Sequence, residues 1–368
     1  EASARAGSTL KSTGILKVDA ETDLGFQTLA ASAGFSTGDA GVGAAVAITP
    51  IDGVSDGPVT TAYIAGTANA TGALSVTAET DLIPETFHLD LCGIEVNMDL
   101  TSTAIAGGAT TGSAGIAAAA TINIFYLTTT AYIADGAQIN KDGSANGSVT
   151  VTATNTTRIN SVTGSIGIGL DGAGVGAGLD LLVLNKDTRA YIGSGASVDA
   201  SSVLIEATSS EDILSIAGNA GVGSDAGIAG SASVQVINTG TRAYIDGGAT
   251  VNASGNVGLG ASGVLDITMI GGALGAASTA GVGAANTTLV HNDTVQAFIG
   301  DGASVSSGGA TGILLSATSS EDVITIAASA GAAGTAGIAG SASVTVLDET
   351  TQAFIGRSAT ITASSGSV

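Results

Sequence analysis

The chain has 368 residues, 56 of them glycine, with 3 prolines, 1 cysteine and no tryptophan; 44% are hydrophobic but only 3% aromatic. Glycine at this level without a Gly-x-y period excludes collagen, and scarce proline argues against a disordered linker. Nine basic against 31 acidic residues give a net charge of −22, which makes nucleic acid and anionic membrane surfaces poor partners. With no apolar run as long as a membrane span, no membrane insertion is expected in this segment.

The hydrophobic content is mostly Ala, Val, Ile and Leu, whose small volumes point to many close layers in place of one thick core. Cys92 stands alone and cannot close an internal disulfide, so packing must hold the fold. Taken in chain order, one triplet punctuates the sequence, Ala followed by an aromatic and Ile. It occurs at Tyr63-Ile64, Tyr132-Ile133, Tyr191-Ile192, Tyr244-Ile245, Phe298-Ile299 and Phe354-Ile355, at spacings of 69, 59, 53, 54 and 56 residues. The stretch Ala207–Ile245 returns 110 positions later as Ala317–Ile355, sharing ATSSED, AGIAGSASV and the triplet in register. A fixed period with strand-like content marks a repeat architecture. Residues 1–368 therefore read as one elongated repeat domain.

Within a repeat, a Gly-rich turn such as Gly193-Ser194-Gly195 is followed by alternation in Ala196–Ala200 and Val203–Ala207, the period of short strands. Glycine recurs too often for long helices, at roughly 1 kcal/mol per interior helical site. Two further strands are predicted at Ile213–Ala220 and Ala226–Ile237, joined by Gly221–Ser224. On the second, Ile228, Ala232, Val234 and Val236 share one face and Ala229, Ser231, Ser233 and Ile237 the other, whose small residues would let another sheet approach closely. The expected fold is all-β, an elongated parallel β-solenoid (β-helix) with repeats of about 54–60 residues. A wide or two-tier coil and a Gly/Ala/Ser-rich hairpin folded over each coil both fit this pattern.

Stacking coils ~4.8 Å apart sets equivalent residues above one another. Ile64, Ile133, Ile192, Ile245, Ile299 and Ile355 should form an inward column. The aromatic column of Tyr63, Tyr132, Tyr191, Tyr244, Phe298 and Phe354 then points the other way. Cover by the Ala/Ser-rich sheet is expected there, because an exposed aromatic stripe invites aggregation. A third column, Thr60, Thr129, Thr188, Thr241 and Thr351 with Val295 interrupting, reads as a hydrogen-bonded ladder more than as an ice-binding face.

Candidate sites are few. Glu211-Asp212 and Glu321-Asp322, with Glu21/Asp23 and Glu79/Asp81 taken as equivalent, could hold Ca²⁺ if stacked at one turn; the plainer reading, and the favoured one, is a solvated turn capped by hydroxyls. Thr157-Arg158 and Leu265-Asp266 break that column. The segment Ile83–Cys92, in the longest repeat, reads as an inserted loop. His88 and His291 sit at unlike repeat positions, no Ser-His-Asp or metal-spaced His/Cys set is visible, and no Gly-x-Gly string precedes a helix. An enzyme is not expected.

The run Ala190–Ala200 (A-Y-I-G-x-G-A-x-V-x-A) and the run Ala226–Val234 (AGIAGSASV) resemble large exported bacterial filamentous adhesins, the leukotoxin-like and filamentous-hemagglutinin-like repeat proteins. The resemblance implies a β-solenoid shaft on the bacterial cell surface, with a role in attachment or biofilm. Glu1 starts and Val368 stops within the repeat pattern, so a fragment or subunit of a longer fibre is expected, with axial self-association as the first partner. The alternative is a surface module binding cations or glycans through acidic turns and inserted loops. A polysaccharide-active β-helix enzyme is the least favoured reading.

Overall fold

In a computed structural model of the chain, 80% of residues lie in strands and no helix occurs among the described residues. The structure describes Glu1–Val368 except 52–58, 92–93 and 144–146, and of 87–97 it describes no side chains. The fold is a parallel β-solenoid. Each coil holds one short strand and two long ones, as in Ser197–Ala200, Val203–Gly223 and Ala226–Ile245. Equivalent strands of successive coils hydrogen-bond in parallel, giving a short sheet, a back sheet (containing Val203–Gly223) and a front sheet (containing Ala226–Ile245).

The register is unbroken across the later coils. Tyr191 pairs with Tyr244 and Ile192 with Ile245, then Tyr244 with Phe298 and Ile245 with Ile299. The 54-residue unit is thus one wide coil and not a narrow coil plus a hairpin. Long strands are a difference from the sequence reading. Val203–Ala207 and Ile213–Ala220 are parts of one 21-residue strand, because ATSSED keeps alternating inside and outside instead of turning. Ala226–Ile237 likewise runs on through the triplet to Ile245.

The coil has two regions with different interiors. Where the three sheets meet, a triangular body is filled by stacked aliphatic columns: Ile64, Ile133, Ile192, Ile245 and Ile299 are fully buried, facing Val76, Val151, Ile205 and Leu259 of the back sheet and Ile139, Val198, Val251 and Val305 of the short sheet. Ile355, in the last coil, is 40% exposed. Beyond the body, the front and back sheets continue alone as a flat two-layered flange. Its apolar layer includes Phe125, Leu184, Ile213, Ile237 and Ile267, and nearer the tip Ala layers replace it.

At the tip the two backbones touch. In the back sheet Gly34, Gly108, Gly167, Gly221, Gly275 and Gly331 form one in-register column. In the front sheet Gly41, Gly115, Gly174, Gly227, Gly281 and Gly337 form another. A Cβ at Gly221 would be driven into the carbonyl oxygen of Ile228 on the facing strand. Side-chain-free residues are thus required here, and the sheets lie much closer than the ~10 Å of ordinary stacked sheets.

The turn after the triplet has its own requirement. Gly136, Gly195, Gly248 and Gly302 take φ between 64° and 69° in successive coils, the left-handed region that glycine enters without steric cost. The long repeat is also explained. Glu85–Leu91 pairs antiparallel with Ile94–Leu100, from Glu85↔Leu100 to Leu91↔Ile94, so the insertion is a β-hairpin and not a loop. Cys92 lies outside the described residues, as does the side chain of His88.

Candidate functional site: outer ladder and buried polar clusters

The aromatic column lies on the outer face of the front sheet and is not covered by the Ala/Ser-rich sheet. Strand alternation sends Ile245 inward and Tyr244 outward, and the flange extends away from the body instead of folding over it. The rings protect one another. From Tyr63 through Tyr132, Tyr191, Tyr244 and Phe298 to Phe354, successive centroids are 4.7–5.0 Å apart with interplanar angles of 3–10°. Both faces of each inner ring are therefore occupied and only edges meet solvent. Burial raises the phenol of Tyr132, and that of Tyr244 is pushed up to about 12, because ionisation would place a charge in this stack.

The interior of the flange carries polar layers. The Thr column points inward: Thr60, Thr129, Thr188 and Thr241 are buried. In the first coils it forms a chain with the back sheet, with Thr80 donating to Thr60, Thr129 to Thr80, and the Asn155 amide to Thr129 at 2.7–3.0 Å. Further toward the tip, Asp180 is fully buried and accepts from Thr121, Ser161, Ser215 and Gln235. Burial pushes its carboxyl up; the four donors pull against that shift.

The acidic pairs are not turns. Glu211 and Asp212 are consecutive residues in the middle of a strand, so they point to opposite faces and cannot share an ion. Asp212 is exposed and pairs with Arg158 in the preceding coil at 2.9 Å. Glu211 is buried, 2.6 Å from the Lys186 ammonium of the front sheet. The Lys186 ammonium also donates to the carbonyls of Asn155 and Ser210, and Ser209 donates to Glu211. Burial lowers the Lys186 pKa, with Glu211 opposing. The proposed equivalence with Glu21/Asp23 and Glu79/Asp81 also fails. Register places Glu79 in the column of Thr154 and Thr208, and Leu82 in the column of Thr157 and Glu211.

Glu321 and Asp322 divide in the same way. Asp322 is outward and exposed; Glu321 faces the interior and accepts from Ser319 at 2.6 Å. It meets two residues that sequence reasoning did not join to it. His291 and Asp293 lie two apart on the facing front strand, so both point inward. One ligand atom from each of His291, Asp293 and Glu321 falls within a group spanning no more than 4.8 Å. The cue in the sequence was that His291 interrupts a column otherwise made of Ile51, Phe125, Leu184, Ile237 and Leu347.

Comparison with protein-family models, curated proteins and solved structures finds no match to this chain.

Proposed function

We propose that this chain is a segment of the structural shaft of an extracellular bacterial fibre or filamentous adhesin, acting in attachment or surface matrix and without catalysis. The observation that supports this most is the constancy of cross-section. The same short, back and front strands recur coil after coil, and the aromatic rings keep one spacing along the whole column. Such a body advances only ~4.8 Å per coil of about 54 residues, so a long shaft on this plan needs many such coils in series. The resemblance of Ala190–Ala200 and Ala226–Val234 to exported adhesin repeats points the same way. A sugar platform on the aromatic column is disfavoured, because the ring faces a glycan would stack on are taken by neighbouring rings.

The test is made on the full natural polypeptide. Small-angle scattering and electron microscopy should show an unbranched ribbon of uniform width, displayed on the producing cell, and loss of the gene should reduce adhesion or matrix cohesion. A compact particle confined to the cytoplasm, or hydrolysis of a polysaccharide by the purified chain, would overturn this reading.

A further inference from the structure

We infer that His291, Asp293 and Glu321 form a binding site for a first-row divalent transition cation, with Zn²⁺ as the fitting probe, which ties the front sheet to the back sheet in the flange. The three donors converge from both sheets, with ligand atoms within 4.8 Å of one another. Ligands at about 2.0–2.2 Å from a tetrahedral centre lie roughly 3.3–3.6 Å apart, so these donors would draw in by no more than about 1–1.5 Å on binding. His291 is 1% exposed, and its Nδ1 has no hydrogen-bond partner. A buried imidazole nitrogen without a partner is costly unless something occupies it.

The carboxylates are already oriented. Asp293 accepts from Thr239 at 2.6 Å, and the Ser319 hydroxyl lies 2.7 Å from Asp293 and 2.6 Å from Glu321. One hydroxyl carries one proton, so Ser319 cannot donate to both. Negative charge is left over, and no ion pair among the described residues neutralises Asp293 or Glu321. Glu349, next to Asp293 in the ladder, adds a third carboxylate.

The same two columns show what is missing. In an earlier coil they hold Lys186 and Glu211, a buried cation with its carboxylate. Here the lysine position is Asp293 and the glutamate position Glu321, so a cation must come from outside. An imidazole beside two carboxylates favours a zinc-like ion over Ca²⁺, which takes oxygen ligands alone.

The experiment uses metal-stripped protein at neutral pH, titrated calorimetrically with Zn²⁺ and with Ca²⁺, and compares His291→Leu and Asp293→Thr. Both replacements already occur in these columns, as Leu347 and Thr239, so folding should be retained and is checked by circular dichroism. One equivalent of Zn²⁺ is expected, with a raised melting temperature, and each variant should weaken binding at least tenfold. A second readout needs no variant. The chain has two histidines, and the imidazole nitrogen resonances of His291 should shift with Zn²⁺. No zinc binding, equal binding by His291→Leu, a shift confined to His88, or equal response to Ca²⁺ would overturn the inference.

Discussion

At the scale of single residues, the flange interior depends on polar groups matched across two sheets. Replacing Lys186 with Leu alone should cost about 3–5 kcal/mol, since it leaves the buried Glu211 carboxylate without its cation. The double replacement with Glu211→Leu should recover most of that loss. Leu127 already fills the lysine column and Leu265 the glutamate column in other coils. Urea denaturation of the two singles and the double measures the coupling; additive effects would show that the pair is not the stabilising unit. Asp180 gives a pH signature. Its folded pKa is raised above 3.8, so the folded state binds more protons in the window from 3.8 up to that raised value. Stability is therefore lost as pH rises through this window. Asp180→Asn should flatten that slope, because the hydroxyls of Thr121, Ser161 and Ser215 can rotate to satisfy an amide. These matches were not legible from spacing. Lys186 and Glu211 become neighbours only once the register is known, and residues adjacent in sequence, Glu211 and Asp212, turn out to face opposite ways.

At the scale of elements, the triplet made the phase of the front strands legible, because inward Ile and outward aromatic are fixed by alternation. The Ala229, Ser231 and Ser233 face was also readable as a close-approach surface. What hydrophobicity hid is that small residues line the squeezed interior while Ile228, on the opposite face, is left 43% exposed. Steric room, not apolar character, decides which face goes inside there. Gly221→Val should cost about 3 kcal/mol or more, since the clash is with backbone that cannot rotate away. Gly230→Val, at an outward site in the same flange with nothing within 4 Å of an added Cβ, should be nearly neutral. The two thermal melts compare these directly. In the aromatic column, Tyr244→Phe should be tolerated, as Phe298 and Phe354 occupy the same ladder; Tyr244→Ala should cost about 2 kcal/mol, with two stacked contacts at roughly 1 kcal/mol each. Because the folded Tyr244 pKa is about 12 against an ordinary 10.0, stability should fall as pH rises from 10 toward 12. Tyr244→Phe should soften that fall, and ultraviolet titration of the phenolates follows it.

At the scale of the whole molecule, the repeat period was legible and the division of each coil into body and flange was not, because the strands bridge both regions without a break in alternation. The unbroken register also bears on how such a gene can change. Ala207–Ile245 and Ala317–Ile355 are near-copies at identical positions in their coils, so recombination between their coding sequences would remove or add whole coils without a frame error in the ladders. Joining Ala207 directly to Thr318 should yield a chain shorter by 110 residues that folds with the same melting behaviour and two fewer coils. At the new junction Glu321 would inherit the place of Glu211 opposite Lys186, since both belong to one column through Leu265. A folded product of reduced length, measured by scattering, is the expected outcome; aggregation would show that coils are not interchangeable. Length would then be a heritable trait adjustable by copy number, with the buried charge pair re-formed across the seam.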